Sequence, residues 1–578
     1  MPSCLIYALV QSMTFLVDTV VASRFIGQEA VAAVAMGMPI IGLMLSFSAI
    51  ILHGGFLKML GYMGKSDMGS YQRIFSITLT LAFIVNIIFV CICLFATNQV
   101  TNISGGAMAA EHAVQLAHIY IRTACLMILF FTLGNVFQLV SATFGYQTDR
   151  MISSLANISV NIVVSVAAIF MLQGDYKIAG LGIGSAAGAF AQLVSAYAFM
   201  KKKGIKLKYR LYPLNKQNIL EGLECIKMGA PASIDNVLDS ASGSVVNNII
   251  LASFPNGTMV LALVAIIKTI NTIVRTIGRG SLYASQPLMG ILHGGRDNKG
   301  ICRTFTASTK LGVIYAVFVA VVLVVLQNPI LSFYGMADNA DARIGFILIA
   351  ISGIVSVFPF MLNSAYEAID RIPLALLVAV LPDSILYPIF MLLFHKVFGI
   401  TSIWLSMGYS FIPFFIVFYL VFVLINKKFP VPLERLLVLD KFENRDTALD
   451  VSIPIESEQV SFVSETLQSF FLDKGTPSRI AYASALCMEE IAADYLDYRR
   501  KAGSADKKSF MDIKAFRDED KIEIILRNYD EPYNPLVFER DEESFAKIGV
   551  TMVQKIASDI SYSYAYHLNV VTVKIPCE

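Results

Sequence analysis

Twelve apolar runs fill roughly the first three-quarters of the chain, near residues 4–24, 30–55, 73–96, 118–144, 151–172, 178–200, 225–252, 258–290, 305–327, 342–366, 372–396 and 400–425. Each is long enough for a tilted helix across a bilayer. None shows the ten-residue alternation of barrel strands, so the pattern predicts helices, which satisfy their own backbone in lipid. Beyond about residue 430 the pattern changes: apolar runs shorten, charged residues become frequent, and Pro430, Pro432 and Pro454 punctuate a linker. There the spacing predicts a strand over 450–455, helices over 458–473 and 477–501, and strands near 509–516 and 521–527. A helix after Ile548 and a strand pair near 559–566 and 569–575 complete the tail. The expected fold is an all-α polytopic membrane protein with twelve transmembrane helices in two six-helix halves, plus a small C-terminal α/β sandwich. Its expected parts are 1–205 and 206–428 for the halves, 429–448 for a linker and 449–578 for the tail domain.

An internal repeat supports the two halves. After the second run, Gly64 is followed by Asp67, Arg73 and Phe75; after the eighth, Gly294 is followed by Asp297, Arg303 and Phe305 at the same spacings. Phe137-Gln-Leu-Val-Ser-Ala142 precedes Asp149-Arg150, and Phe360-Met-Leu-Asn-Ser-Ala365 precedes Asp370-Arg371. Parallel repeats of this kind are a transporter architecture with the substrate site between the halves.

Only 15% of the residues are charged, against about 25% in soluble proteins, which agrees with many spans. The net charge of +2 says little about partners, and no nucleic-acid partner is expected. Basic residues concentrate in alternate loops, from Lys58, Lys65 and Arg73 through Arg150, the cluster from Lys201 to Lys216, Arg296, Lys299 and Arg303, to Arg371, Lys427 and Lys428. By the positive-inside rule these loops are cytoplasmic, and an even span count puts both ends in the cytoplasm. The eight cysteines have no spacing that suggests a metal site or a disulfide framework. The first apolar run lacks a cleavage site and reads as a span, not a signal peptide.

The ensemble of Pro2, Val17-Asp18-Thr19, Ile26-Gly27, the alanine-rich run Ala30 to Ala35, Pro39, the loop Gly61-Tyr-Met-Gly64-Lys-Ser-Asp67 and Gly229-Ala-Pro231 resembles the multidrug and toxic compound extrusion (MATE) family over about residues 1–425. The resemblance implies export of small, often cationic organic compounds driven by sodium ions or protons. It assigns Asp18 to cation coupling. Physically, an acid inside a span is costly and hence a functional candidate, and burial and a nearby cation pull on a carboxylate's proton in opposite senses. A packing hydrogen bond is the bland alternative for Asp18.

Asp235 and Asp239 lie one turn apart on one face of the seventh run, and Asp383 follows Pro382 in the eleventh. The stretch Ile351 to Phe360 has no acid, unlike some members of the family. Lys268, Arg275 and Arg279 line one face of the eighth run. One reading pairs Lys268 or Arg275 with Asp239 or Asp235, because buried charges are usually paired. The other offers positive charge to an anionic substrate or a lipid headgroup.

The order of elements in the tail resembles the histidine-kinase-like ATPase fold, in its anti-sigma-factor kinase branch. On that resemblance Glu490 matches the base of Glu-x-x-x-Asn, with Asp494 where the magnesium-holding Asn would stand. Asn528-Tyr529-Asp530 replaces the adenine-contacting Asp-x-Gly, and the lid keeps only Gly549. An Asp still binds magnesium, but the lost carboxylate removes a charge-assisted hydrogen bond to adenine and the lost glycines restrict backbone approach to phosphate. ATP and magnesium are therefore not expected there, and the tail is expected to contact or regulate.

The expected function is secondary active efflux of small organic, cationic or amphiphilic compounds by antiport with sodium ions or protons. The expected setting is a bacterial plasma membrane. No enzymatic activity, resident metal or required cofactor is expected. The expected partners are membrane lipid, a drug-like or metabolite substrate and a cytoplasmic regulatory protein at the tail. Two alternatives stay open: a flippase for lipid-linked precursors or anionic substrates, and a membrane-anchored signalling protein with a kinase tail.

Overall fold

The computed structural model describes residues 2–577 except 15–16, 104–110, 214, 255–256, 334–335, 337, 440–447, 502–508, 519 and 538–544. Some side chains inside helices, chiefly within 28–39 and 231–269, also lie outside the described set. The chain divides into two compact units: the first comprises Met1–Leu60, Tyr71–His293 and Asp297–Leu439, the second Gly61–Ser70, Gly294–Arg296 and Asp440–Glu578.

The first unit is helical. Among the described residues nine helices are long and apolar enough to cross a membrane. The stretches expected as the first, seventh and eighth spans are also helical: Pro2–Thr14 with Val17–Phe25, Lys216–Ser253 and Gly257–Gly294. These three contain Asp18, Asp235, Asp239, Lys268, Arg275 and Arg279. The eleventh run is not one regular helix. Ile372–Val380 passes through a π-helical turn, Leu381–Leu386, into Tyr387–Phe398, and the turn contains Pro382 and Asp383. A proline removes a backbone donor, and π turns are frequent at functional sites.

Two helices of seven residues each are too short to register as spans: Thr97–Ile103 follows Met68–Phe95, and Gln327–Phe333 follows Asn298–Val325. They sit at matching places in the repeat. Close backbone packing joins the halves. A Cβ on Gly54 would collide with the carbonyl oxygen of Cys225, and one on Gly229 with that of Ile50. The glycine of the Gly229-Ala-Pro231 motif is thus a helix-crossing point.

In the second unit a five-stranded antiparallel sheet has the order β1 (Ala448–Pro454), β2 (Phe510–Asp518), β3 (Lys521–Tyr529), β5 (Leu568–Pro576), β4 (Asp559–Ala565). The central strands β3 and β5 alternate little and are almost wholly buried. Helices Ser457–Asp473, Ser478–Lys501 and Phe545–Ile556 supply apolar faces, with Leu467, Met488, Ile491 and Val553 in one core with Ile524 and Val573.

The two loop segments of this unit have the same backbone. Ser66 and Arg296 both take a left-handed φ, 56° and 57°. Asp67 N–H donates to Tyr62 O and Asp297 N–H to Leu292 O, at 2.9 and 2.8 Å. The carboxylates of Asp67 and Asp297 then accept from the N–H groups of Ser70 and Gly300, at 2.9 and 2.7 Å, which starts the following helix. Within the unit, Lys514 donates to Arg296 O at 2.8 Å and Arg527 to Gly295 O. Ser66 and Ser563 share a hydroxyl hydrogen bond of 2.9 Å, and the Arg296 guanidinium lies 4.7 Å from the centre of the Phe516 ring.

Candidate functional site: a buried carboxylate and a basic cavity

Asp18 is 2% exposed, on the short helix Val17–Phe25. Its carboxylate meets only neutral donors among the described residues. The Tyr120 hydroxyl donates at 2.7 Å, the Ser185 hydroxyl lies 2.8 Å from both oxygens, and Asn161 Nδ2 lies 3.5 Å from Oδ1. Asn161 also donates to Ser185 Oγ at 3.0 Å and accepts from Ser165 Oγ at 2.9 Å. Small residues make room for this cluster: a Cβ on Gly184 would collide with Ser165, and one on Gly188 with Asn157. The glycines of the sixth run therefore admit polar side chains as well as allowing close packing. Asn157, Gln192 and Asn135 continue as a chain of amide hydrogen bonds, 2.7 and 3.1 Å long.

That chain ends at a cavity of about 440 Å³ lined by both halves, including Tyr7, His53, Asn135, Arg150, Arg279 and Tyr283. No carboxylate is among its described lining residues. His53 Nε2 lies 3.0 Å from Glu367 Oε2, which joins a helix of each half. Glu367 is 2% exposed and also receives Gln286 Nε2 at 2.6 Å and Asn363 Nδ2 at 3.2 Å.

Arg275 forms an ion pair with Asp383 and lies 5.3 Å from the centre of the Phe360 ring. The broken eleventh helix brings Asp383 to Arg275. The side chains of Asp235 and Asp239 lie outside the described residues. Lys268 is exposed and lines a second cavity of about 100 Å³ with Arg275, Arg279 and Asp383. The structure thus gathers Lys268, Arg275 and Asp383 in one place and sets Asp18 in another.

Four functional candidates were missed as site residues. His53 lies inside the helix Gln28–Gly64, and Glu367 stands at the end of Ala340–Ala368. Arg150 was counted as a loop charge, yet it is 6% exposed. Tyr7 is a lone aromatic. A polar residue inside a predicted apolar run was the only available signal, and it covers His53 alone.

In the tail, Glu490 and Asp494 lie one turn apart on the helix Ser478–Lys501. A Cβ on Gly549 would collide with the Glu490 carboxylate. Burial, then the neighbouring Glu489, pushes the Glu490 carboxyl above its ordinary value. Tyr533 donates its hydroxyl proton to Asp494. Asp530 accepts from Tyr495 at 2.8 Å and pairs with Arg499 at 3.3 Å. Asn528 accepts from Asn569 Nδ2 at 2.9 Å, while Asn569 Oδ1 accepts from Tyr562 at 2.8 Å and from Tyr533 N–H at 2.9 Å. Rings of Tyr495, Tyr498 and Tyr533 pack with centroids 4.8 to 6.3 Å apart.

Among relatives, the multidrug export protein MepA of Staphylococcus saprophyticus is 23% identical over 227 residues, which cover 39% of this chain and 49% of that protein. The match thus spans about half of that relative's length. MepA of Staphylococcus aureus is 21% identical over 384 residues, or 65% of this chain and 82% of that one. A crystal structure of a MATE protein in the bent conformation superposes with a TM-score of 0.63 at 16% identity, covering 72% of this chain and 92% of that one. An outward-facing multidrug resistance MATE family transporter superposes at 0.64 and 17%, with the same coverage. The family model described as MatE matches residues 2–167 and 231–381. These segments make up more than half of the chain, which belongs to the MatE family.

Proposed function

We propose that this chain is a twelve-span secondary active exporter of small organic compounds, driven by sodium ions or protons, in which Asp18 carries the coupling ion. The Asp18 cluster supports this reading. A carboxylate surrounded by hydroxyls and an amide accommodates either charge state, because a hydroxyl that donates to a carboxylate can turn and accept from a carboxylic acid. The same oxygens suit a hard cation. Both MepA relatives are multidrug export proteins, and for this chain that activity is proposed.

The decisive experiment is substrate uptake into proteoliposomes with sodium and proton gradients imposed separately. Flux is expected to follow one gradient and to vanish in Asp18→Asn. Undiminished gradient-driven flux in a well-inserted Asp18→Asn protein overturns the role of Asp18.

For the tail we propose a histidine-kinase-like ATPase fold that has become a regulatory module. Tyrosines and a buried arginine occupy the side chains that nucleotide and magnesium would need. The second unit includes a loop segment from each half of the repeat, with hydrogen bonds to both segments inside the unit, which supports a regulatory role. Removal of residues 430–578 is expected to change the flux rate, and full-length protein is expected to give no heat with ATP and magnesium. ATP binding with turnover would favour the kinase reading. A second reading of the cargo, as anionic, is favoured by the absence of carboxylates from the described cavity lining.

A further inference from the structure

We propose that the cavity between the halves is an anion-binding site, in which Arg150, Arg279 and Tyr7 hold the oxyanion head of an amphiphilic organic acid. The idea takes its setting from the transporter reading and adds the charge and the recognition group of the ligand.

The donors and acceptors are out of balance. A guanidinium carries five N–H donors, and Arg150 uses one of them, to the Tyr7 hydroxyl at 2.8 Å. Its Nε is buried without a hydrogen-bond partner. The rings of Tyr7 and Tyr283 hold the guanidinium at 3.9 and 4.9 Å from their centres, which fixes its plane without neutralising its charge. Tyr7 Oη accepts from Arg150 and also from Gln11 Nε2 at 2.9 Å. An oxygen that accepts twice keeps its own proton to give away. Arg279 lines the same cavity, and no carboxylate among the described residues pairs with either arginine.

A charge as deeply buried as that of Arg150 is costly unless it is compensated. Here the described residues supply donors and aromatic faces but no counter-ion. The missing partner is an oxyanion, and bidentate arginine contacts suit a carboxylate, sulfonate or phosphate. About 440 Å³ leaves room for an organic body, which Phe131, Leu139 and the tyrosine rings would cover. His53 does not disturb this balance, since Glu367 stands against it.

The test uses full-length protein in phosphatidylcholine nanodiscs and two xanthene dyes, anionic 6-carboxyfluorescein and cationic rhodamine 6G, read by fluorescence anisotropy. 6-Carboxyfluorescein is expected to bind. Arg279→Gln should weaken it about tenfold or more, and Arg279→Glu should abolish it and admit rhodamine 6G. Arg150→Lys keeps the charge but loses the planar fork, so it should weaken binding less than Arg279→Glu; this variant guards against misfolding of a neutral Arg150 replacement.

Equal 6-carboxyfluorescein binding in wild type and Arg279→Gln overturns the site, as does binding of rhodamine 6G alone by wild type. Repeating the titration with phosphatidylglycerol in the discs separates two sources of the same chemistry. Arginine-dependent competition identifies a lipid headgroup as occupant, and undisturbed binding identifies a soluble acid; either supports the site. Asp18→Asn should keep dye binding while losing uptake. If wild type itself shows arginine-dependent binding but no gradient-driven flux, the transporter reading fails and the anion site stands.

Discussion

Asp18 and Asp383 are both acids in the membrane part, one in each half, and their surroundings differ in kind. Asp18 is buried among a tyrosine, a serine and an asparagine. Asp383 is partly exposed to a cavity and faces a guanidinium. Neutral hydroxyl donors tolerate a change of charge, because they can reverse their hydrogen bonds. Asp383 instead has the Arg275 guanidinium as its partner. The same residue type therefore sits among neutral donors in one half and in an ion pair in the other.

The largest expected effect breaks the comparison at Asp18. Asp18→Asn should reduce gradient-driven flux to background, while Asp383→Asn should leave a measurable fraction; equal losses in proteoliposomes would mean that the two acids do the same work. Next is Arg275→Gln, which leaves Asp383 facing the cavity without its partner. Breaking a fully buried pair costs about 3–5 kcal/mol; with side chains 25% and 21% exposed, about 2 kcal/mol of stability is expected. Thermal unfolding in detergent measures it, and Arg275→Leu combined with Asp383→Leu should recover most of the loss. Smaller still is Tyr120→Phe, which removes one donor from Asp18. Interhelical hydrogen bonds in membranes average about 0.6 kcal/mol, so the fold should hold, while the coupling-ion concentration for half-maximal flux should move severalfold. An unchanged ion dependence would show that Tyr120 only packs.

The contrast also explains what the sequence could disclose. Lipid forces its helices to be long and apolar, so the runs were visible, and a single acid in such a run made Asp18 conspicuous. The repeat was legible because a turn that needs a left-handed residue before an N-capping Asp constrains residues at fixed spacing, as at Ser66-Asp67 and Arg296-Asp297. The partners were not legible. Arg275 and Asp383 are 108 positions apart and meet because a proline-containing turn breaks the eleventh helix. Arg150 sits at the start of Gln147–Met171, where a basic residue also reports topology, and only the fold shows Tyr7 and Tyr283 around it. In the tail, short apolar runs between polar turns disclosed the strands, but Tyr533 reaches Asp494 from a loop with no period to betray it.

The last and smallest prediction sharpens the comparison outside the membrane, where the tail repeats it with Glu490 and Asp530. Asp530 has Arg499 and Tyr495. Glu490 has no cation against it among the described residues, and burial and Glu489 raise its proton affinity. The folded tail therefore holds that proton more tightly than the unfolded chain does, so folding is favoured at low pH. This contribution falls as pH rises from the ordinary carboxylate range through the raised value of Glu490. Full-length protein should accordingly lose a little thermal stability over that window, and Glu490→Gln should flatten the slope. If the slope persists in Glu490→Gln, another carboxylate carries it. Asp530→Asn, by contrast, should lower stability by removing the ion-pair partner of Arg499.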